Sequence, residues 1–596
     1  MTILQSLDRY YDRMAARGEA EAPGYSREKI GFAILLSPEG EPVNQKDLRE
    51  QVGRKLQPRL VEVPAAVKRT AGISPNLLWD KSAYVLGRTA GQGRRTADEH
   101  AAFRKLHLDL LAETKDPGLL ALRRFLEAWQ PERFDAPPFE AEMLDANLIF
   151  ALEGEHRYLH EREAARALVA ARGGGEGKRA ICLVSGMEAP ITRLHPTIKG
   201  VEGAQSSGAA LVSFNLEAFG SYGQEQGANA PTSEAVAFRY GAALNRMLDR
   251  GSRNRLPRPV GDTTVVFWAD ASDVGEETAE AAESAFDTLF NPPAPEGDPA
   301  RDGEEAAKLR ALLAALHEGR PLRDADPKLT EGVRFHILGL APNAARLSVR
   351  FWLSDDFTVF ARRLADHYAA LAIEPPPWRA LPPSVNRLLV KTVALQEKFD
   401  NIPPLLAGEV TRAILAGTPY PRSLLATAII RLRAGDDAGT GWHAAAIRAV
   451  LASHHRKESP PVSLDRENAS SAYQLGRLFA MAEIAQRVSL GKVNATIRDR
   501  YFGAASATPA NVFPLLLRGV QNHLGRLRKE GKGGWIEKEI DQIFAQLPPS
   551  LPRSLALQKQ GEFAIGYYHQ RSARIGSKSA GQIADEEESK EGDTDE

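Results

Sequence analysis

The chain has 596 residues, too many for one hydrophobic core, and this length predicts three or four domains. Hydrophobic residues make up 43% and charged residues 26% of it, the proportions of an ordinary globular protein, so most of the chain is expected to be ordered. A single cysteine, Cys182, excludes an internal disulfide framework and cysteine-based zinc sites, and 76 basic against 77 acidic residues argue against strong overall attraction to nucleic acid.

The N-terminal region predicts a helix followed by a hairpin, the start of an α+β fold. Residues 4–16 place apolar side chains at steps of three and four, which is one face of a helix. Phe32, Ile34 and Leu36 then alternate before a Ser-Pro-Glu-Gly turn, the pattern of a β-hairpin. Neither a signal peptide nor an apolar run of membrane-spanning length is found in the sequence, so we expect a cytoplasmic protein with no membrane partner.

The centre of the chain predicts antiparallel sheet with helices on one face. Residues 263–270 and two runs around Pro342 are rich in apolar, β-branched and aromatic residues, and a helix is expected from about Ser354. Residues 291–304 are rich in proline, glycine and acids and are expected to form a mobile insertion.

These patterns predict an α+β fold in two parts. The N-terminal part is a mixed body with antiparallel sheets and helices over residues 1–372, with a further boundary near residue 175 left open. A proline-rich linker, 373–384, leads to successive amphipathic helices that predict an all-α bundle over 385–570. Residues 571–596 are small and then acidic, and we expect a disordered acidic tail.

Catalytic motifs are absent from the sequence, so an enzyme, a metal site and a cofactor are not expected. The histidines show no HExxH spacing, and no GxSxG nucleophile turn occurs. The alternative of a nucleic-acid-cleaving enzyme requires clustered carboxylates that bind magnesium. The acids of residues 270–287 are instead spaced as on a solvated helix. A structural scaffold of a ribonucleoprotein is a further alternative.

Three long irregular blocks carry a family resemblance. They are "VPAAVKRTAGISPNLLWDKSAYVLG" (63–87), the stretch from "CLVSGMEAPITRLHPTIKG" to "GAALNRML" (182–248), and "NATIRDRYFGAASATPANVFPLLLRGVQNHL" (494–524). They resemble the large subunit of type I-C CRISPR surveillance complexes (Cascade), as do residues 1–15 and 566–571.

The resemblance implies a noncatalytic function in antiviral defence. The large subunit of that family reads the protospacer-adjacent motif (PAM) on duplex DNA, helps to open the duplex into an R-loop, and presents the complex to a helicase-nuclease. The implied partners are the crRNA, the target duplex, the displaced non-target strand, the backbone and crRNA-processing subunits, small subunits and the helicase-nuclease.

Under this resemblance the loop over residues 213–234 is the predicted motif reader. It contains no Lys or Arg, and it has glycines that permit close approach to a groove. Its amide side chains offer donors and acceptors to base edges: Asn215, Gln224, Gln226 and Asn229. The alternative is a solvent loop between a predicted strand at 209–215 and a helix capped by Thr232 or Ser233.

Two basic segments are predicted to contact the DNA backbone. The first combines positive charge with short hydrogen-bonding side chains at Lys68, Arg69, Thr70 and Asn76. The alternative is that the two cations only solvate a helix end while Trp79 anchors the core. The second segment, with Arg94 and Arg95, is a candidate for the displaced or guide strand.

The helical part resembles a small subunit, and in type I-C systems that subunit can arise from an internal start within the large-subunit gene. Met481 is the last methionine and the candidate start. Lys492, Arg498 and Arg500 are predicted to contact the displaced strand, with Tyr501 or Phe502 either stacking on bases or lying in the core.

Overall fold

The structure, a computed structural model, describes most of the chain and divides it into two compact units. The described residues are 1–52, 55–67, 69, 72–91, 93–173, 178–214, 216–292, 299–378, 381–396, 398–454, 459–491 and 493–573. Unit 1 comprises Met1–Lys199 and Ser207–Arg246, and unit 2 comprises Gly200–Ser206 and Met247–Glu596.

Unit 1 contains six helices and twelve short strands among the described residues. The helices are α1 (Ile3–Ala16), α2 (Ser82–Val85), α3 (Thr96–Leu110), α4 (Pro117–Ala128), α5 (Glu163–Gly173) and α6 (Glu234–Leu248), which ends just inside unit 2. The strands are β1 (Tyr25–Ile30), β2 (Phe32–Leu36), β3 (Pro42–Asp47), β4 (Glu50–Val52), β5 (Lys55–Gln57), β6 (Arg59–Pro64), β7 (Asp80–Lys81), β8 (Asn147–Leu152), β9 (Arg179–Ile181), β10 (Glu188–Pro190), β11 (Thr197–Ile198) and β12 (Ala209–Ala210).

A four-stranded sheet in the order β3-β2-β8-β7 forms the centre of unit 1. The predicted hairpin is confirmed, since β2 and β3 pair antiparallel with Phe32 opposite Asp47. β8 runs parallel to β2, with Phe32 opposite Leu148, which the expectation of antiparallel sheets did not include. Phe32, Phe103, Phe125 and Phe150 lie in the core between this sheet and the helices. Separate antiparallel pairs are β1 with β6, β4 with β5, and β9 with β10.

The first helix begins at Ile3, one residue before the predicted range, and Thr2 caps it. The Thr2 side chain accepts a hydrogen bond from the Gln5 backbone N–H at 3.3 Å, and the Gln5 side chain accepts one from the Thr2 backbone N–H at 2.9 Å. This reciprocal pair is a capping box, which satisfies two backbone donors that helix geometry would leave unbonded. Leu7, Tyr10 and Met14 form the buried face.

Unit 2 contains three strands and twelve helices among the described residues. The strands are β13 (Thr264–Ala269), β14 (Arg334–Asn343) and β15 (Arg346–Asp356). The helices are α7 (Glu276–Phe290), α8 (Pro299–His317), α9 (Phe357–Leu371), α10 (Val385–Val390), α11 (Pro404–Ala416), α12 (Arg422–Arg433), α13 (Trp442–His454), α14 (Ser471–Leu490), α15 (Ile497–Ala507), α16 (Pro509–Lys529), α17 (Gly534–Ala545) and α18 (Leu557–Ser572).

The predicted antiparallel arrangement of the central strands is confirmed in unit 2. β14 pairs antiparallel with β13 and with β15, and the register places Arg334 opposite Asp356. Because this ladder extends to Asp356, the helix expected from Ser354 begins only at Phe357. The Asp356 carboxylate caps it by accepting a hydrogen bond from the Thr358 backbone N–H at 2.8 Å.

The helices from α10 to α18 form the predicted bundle, and α14 is its central helix. Most of α14 is buried, and its closest neighbour is α18. Gly476 on α14 and Gly566 on α18 mark the crossing, because a Cβ on either glycine would overlap the backbone of the other helix. The α+β fold class, with small sheets in the N-terminal half and helices in the C-terminal half, is confirmed.

Several local expectations are wrong. The strand expected at 209–215 is reduced to Ala209–Ala210. Helix α8 begins at Pro299, inside the insertion expected at 291–304, of which residues 293–298 lie outside the described part. The acids of 270–287 are not all solvated, because Glu283 is buried and accepts a hydrogen bond from the Ala269 backbone N–H at 3.0 Å.

Helix α18 continues two residues into the predicted acidic tail. Arg571 and Ser572 form its last turn, where Arg571 is held by an ion pair with Asp437 at 2.9 Å. Residues 574–596 lie outside the described part. The division of the chain at 373–384 into body and bundle stays a prediction, since unit 2 contains both β13–β15 and the bundle. Within the described ranges, no helix combines the length and apolarity that crossing a membrane requires.

Candidate nucleic-acid interface

The loop over residues 213–234 is built around a tight turn at its tip. Ser221 and Gln224 exchange both backbone hydrogen bonds, at 2.9 and 3.3 Å. Tyr222 and Gly223 between them have φ of 51° and 71°, which makes this a two-residue turn of the kind that closes hairpins. Gly223 suits such backbone, whereas a tyrosine with positive φ is strained.

Tyr222 is a candidate contact residue that the sequence analysis did not select. Its side chain is fully exposed at the tip of the loop. Backbone strain costs free energy, and an exposed aromatic ring gains little from packing in the free protein. The two together are therefore a common feature of functional loops. The sequence signal for it was the Ser-Tyr-Gly triplet within an amide-rich loop.

Gln224 and Gln226, two of the predicted readers, are exposed to solvent. Gln226 has φ of 48° and precedes Gly227, which has φ of 86°. Gly227 lies against the Phe214 ring, 3.3 Å from the position that a Cβ would occupy. The glycine is therefore needed at this position, and the closed loop presents the two glutamine amides outward.

Asn229 holds the loop together instead of pointing outward. Its Nδ2 donates to the Phe219 carbonyl oxygen at 2.8 Å and to the Ser221 Oγ at 3.2 Å. Its Oδ1 is buried and has no partner among the described residues. Asn229 therefore holds the loop closed in this structure, and its predicted role as a direct reader stays a prediction. Asn215, the fourth predicted reader, lies outside the described residues.

The helix that follows the loop is capped by Ser233, one of the two residues predicted to do so. The Ser233 Oγ accepts a hydrogen bond from the Val236 backbone N–H at 3.3 Å. The Ser233 backbone N–H also donates to the Cys182 Sγ at 3.2 Å. Burial raises the pKa of the Cys182 thiol, but hydrogen bonds from Ser185 and Ser233 outweigh it and lower the pKa to about 7. The Cys182 side chain is buried.

Arg69 forms an internal ion pair. Its Nη2 donates to the Asp80 Oδ2 at 2.5 Å and its Nε to the Ser74 carbonyl oxygen at 2.7 Å. The guanidinium also stacks on the Tyr84 ring, 4.1 Å from its centroid. Arg69 therefore has structural partners on three sides, and its predicted phosphate contact stays a prediction. Lys68 and Thr70 lie outside the described residues.

Asn76 is buried, and its backbone binds the same Asp80 carboxylate as Arg69. Its backbone N–H donates to the Asp80 Oδ2 at 2.8 Å, and its Oδ1 accepts from the Val67 backbone N–H at 2.9 Å. Burial raises the pKa of the Asp80 carboxyl, while the backbone hydrogen bonds and Arg69 act in the opposite direction. Trp79 is buried as the alternative interpretation expected, and its Nε1 donates to the Pro64 carbonyl oxygen at 2.7 Å.

Replacing Arg69 by alanine is expected to lower the free energy of unfolding by about 1 to 3 kcal/mol, because the buried Asp80 carboxylate loses its counter-ion. The pKa of Asp80 should rise further, since Arg69 lowers it in the native protein. Urea unfolding at pH 7 and pH 5 tests this. The loss should be smaller at pH 5 than at pH 7, because a raised pKa lets a larger fraction of the Asp80 carboxyl be protonated at the lower pH. A loss below about 0.5 kcal/mol at both pH values would contradict the assigned ion pair.

Arg94 and Arg95 are exposed at the beginning of α3. Arg95 is 65% exposed and lies 3.9 Å from Glu99 one turn later, a distance at which a surface ion pair contributes little. Both cations are therefore accessible to a phosphate backbone.

Of the two predicted arginines in the bundle, Arg498 has internal ion pairs and Arg500 is exposed. Arg498 is ion-paired with Asp437 and, at 2.9 Å, with Asp499. Burial lowers the pKa of Arg498, but these carboxylates outweigh it and raise the pKa above its usual range. Arg500 is exposed and has no ion pair with a described residue. Lys492 lies outside the described residues.

The two aromatic residues after Arg500 have different environments. Tyr501 is 38% exposed, whereas Phe502 is buried against Phe479 and Tyr567 with ring centroids 5.7 and 5.3 Å apart. Tyr501 is thus the accessible stacking candidate of the pair, and Phe502 belongs to the core. In the parts of the chain that the structure describes, no group of three or more His, Cys, Asp or Glu is arranged to hold a metal ion.

Comparison with known protein families shows which family the chain resembles over nearly its whole length. Residues 7–575 match the family described as CRISPR-associated protein (Cas_Csd1). No curated protein matches the chain.

Proposed function

The chain belongs to the Cas_Csd1 family of CRISPR-associated proteins, and from this premise we propose that it is the noncatalytic large subunit of a type I-C RNA-guided surveillance complex. In this role it recognises the PAM on duplex DNA, promotes unwinding and R-loop formation, and presents the complex to a helicase-nuclease. The proposed partners are crRNA, target DNA, the backbone, crRNA-processing and small subunits, and the helicase-nuclease, all in the cytoplasm.

The observation that carries this proposal is the family match over residues 7–575, which spans both compact units. The three sequence blocks that resemble type I-C large subunits lie inside this range. In guide-directed recognition, base pairing reads the target and protein reads only a short flanking motif, so a single polar loop is sufficient for the protein's share.

We assign the motif reading to Gln224 and Gln226, with Tyr222 beside them. The two amides are exposed and carry both donors and acceptors, which is what the edges of base pairs require. Tyr222 at the tip is suited to contact a base step, as exposed aromatic side chains do in proteins that distort duplex DNA. Asn229 keeps the loop closed behind them.

We assign the backbone contacts to Lys68, Arg94 and Arg95 in unit 1 and to Arg500 in unit 2. Phosphate contacts position a protein on DNA without reading sequence, so exposed cations such as Arg94, Arg95 and Arg500 suit this role, and Lys68 is assigned from the sequence alone. Arg69 and Arg498 fit it less well, because their guanidiniums already bind carboxylates. Tyr501 next to Arg500 adds a ring on which a displaced base can stack.

A small-subunit product, if one is made from this gene, should begin before Met481. Met481 lies in the middle of α14 and is fully buried. A product beginning there lacks Arg477, which binds Glu539 of α17 at 2.7 Å. We therefore place the start of an independent bundle at or before Ser471, the first residue of α14.

The test is duplex binding by the assembled complex, with and without the correct flanking motif. A double variant, Gln224→Ala with Gln226→Gly, should remove most of the preference for the correct flank, about 1 to 3 kcal/mol for each bidentate amide–base pair that the substitutions abolish. Glycine is chosen at 226 because the backbone there has positive φ. Gln130→Ala, an exposed glutamine elsewhere in unit 1, is the matched control and should change nothing.

Lys68→Ala in the same assay should weaken binding to all duplexes and reduce the salt slope by about one.

Three outcomes would contradict the proposal or favour an alternative. If the double variant assembles normally and still discriminates between the two flanks, the loop is not the motif reader. Failure of the loop variants to assemble, with unchanged motif preference in the residual complex, would favour the scaffold alternative. Metal-dependent cleavage by the purified protein would favour the nuclease alternative.

A further inference from the structure

Helix α18 ends at a carboxylate that two arginines share. Arg571 in that turn binds the Asp437 carboxylate at 2.9 Å, and Arg498 at the start of α15 binds the same oxygen. The end of α18, the start of α15 and the turn after α12 therefore meet at Asp437.

Arg433 and Arg500 form the unpaired part of this region, called the arginine surface below. Arg433 ends α12, and its Cγ lies 3.6 Å from the position that a Cβ on Gly503 would take. Arg500 precedes Gly503 by three residues and so lies on a neighbouring part of the same helix face. Both arginines are exposed, and neither has an ion pair with a described residue.

The chain carries its own polyanion a short distance beyond α18. Residues 585–596, called the acidic segment below, contain eight acids and one lysine. Thirteen residue steps separate Ser572 from Asp585. They span at most about 45 Å, so surfaces within that distance of Ser572 are within reach of the acidic segment. Tethering at this length gives an effective concentration on the order of millimolar.

We propose that the acidic segment docks on the arginine surface and competes there with single-stranded nucleic acid. Closely spaced carboxylates resemble the charge pattern of a phosphate backbone, and charge complementarity together with proximity selects this occupant over a separate protein. The docking rests only on these charges and on the position of α18. The competition also rests on the proposed contact between Arg500 and the displaced strand.

Crosslinking of the full chain tests the docking without nucleic acid. Arg433→Lys and Arg500→Lys supply amines that a carbodiimide can join to carboxylates in direct contact. Peptide mapping should find crosslinks from both positions to residues 585–596, and about 0.5 M salt should abolish them by screening. Arg412→Lys is the control, since Arg412 is exposed on α11, a helix that has α12 as a neighbour but carries neither arginine of the surface. Equal crosslinking from position 412, or none from 433 and 500, would overturn the docking.

Binding of a single-stranded DNA oligonucleotide tests the competition. The full chain with all eight acids of the segment changed to amides should bind about three- to tenfold more tightly than the unaltered chain at low salt. Arg433→Ala with Arg500→Ala should remove this difference. Equal affinity of the two chains, with crosslinks present, would overturn the competition and leave the docking. Absence of oligonucleotide binding by every form would count against the proposed strand contact as well.

Discussion

Replacing Arg477 by methionine is expected to lower the free energy of unfolding of unit 2 by about 3 to 5 kcal/mol, the cost of breaking a buried ion pair from one side. The Arg477 side chain is 1% exposed and binds Glu539, which is 8% exposed, at 2.7 Å. It also donates to Gln570, Gln474 and the Arg466 carbonyl oxygen. Burial lowers the pKa of Arg477, and Glu539 opposes this shift. Without Arg477, the Glu539 carboxylate remains buried with a single partner at the edge of the site.

Two further variants separate the ion pair from simple loss of packing. Arg466 also contacts Glu539, at 3.1 Å, but is 52% exposed. Arg466→Ala should therefore cost less than about 1 kcal/mol. Adding Glu539→Leu to Arg477→Met should recover more than half of the lost stability, because the unpaired charge is gone. Urea unfolding of the full chain gives the free energies, and hydrogen exchange in α14, α17 and α18 localises them. A cost below about 1 kcal/mol for Arg477→Met would contradict the buried pair.

Replacing Gly476 by alanine is expected to separate α14 from α18 and to cost about 3 kcal/mol or more, at the upper end of overpacking effects. A Cβ at this position would overlap the Phe563 carbonyl oxygen and lie 2.8 Å from the Tyr567 backbone nitrogen. These are backbone atoms of a packed helix and cannot move aside as a flexible side chain can. Gly566→Ala should have the same effect, since its Cβ would overlap the Tyr473 carbonyl oxygen.

Gly519 on α16 is the matched control for both glycines. It also lies inside a helix, but nothing lies within 4 Å of the position of an added Cβ. Gly519→Ala should therefore leave stability unchanged or raise it by up to about 1 kcal/mol, as expected for helix propensity. Thermal unfolding and hydrogen exchange of the α18 peptides provide the measurement. Protection of α18 that is unchanged in Gly476→Ala would show that the helices do not cross at these glycines.

Much of the fold followed from local patterns. The helix expected at residues 4–16 and the hairpin from Phe32 were predicted from hydrophobic periodicity, and the strands β13–β15 from runs of apolar, β-branched and aromatic residues. Each of these patterns extends over one element and depends on its own residues. The boundaries were less accurate where a partner decides them. β15 extends to Asp356 because Arg334 pairs with it, and no pattern within 346–356 contains that information.

The candidate site was only partly predictable for a related reason. The sequence singled out the loop of residues 213–234 by its composition and selected Gln224 and Gln226 in it as readers; both are exposed in the structure, and their role as readers stays a prediction. It treated Asn229 as equivalent to them, although the fold turns this amide inward to hold Phe219. It also passed over Tyr222, whose exposure depends on the turn that surrounds it.

The sequence by itself determined the α+β class, the positions of most elements and the family, because these depend on periodicity and on long irregular strings of residues. Only the tertiary structure decided which arginine side chains are exposed and which are already bound to a carboxylate. Arg477 and Arg498 bind carboxylates 62 and 61 residues away and Arg69 binds one 11 residues away, whereas Arg500 remains exposed. The amino-acid sequence alone does not distinguish the paired arginines from the exposed one. Their roles differ because pairing and burial depend on which residues the fold brings together.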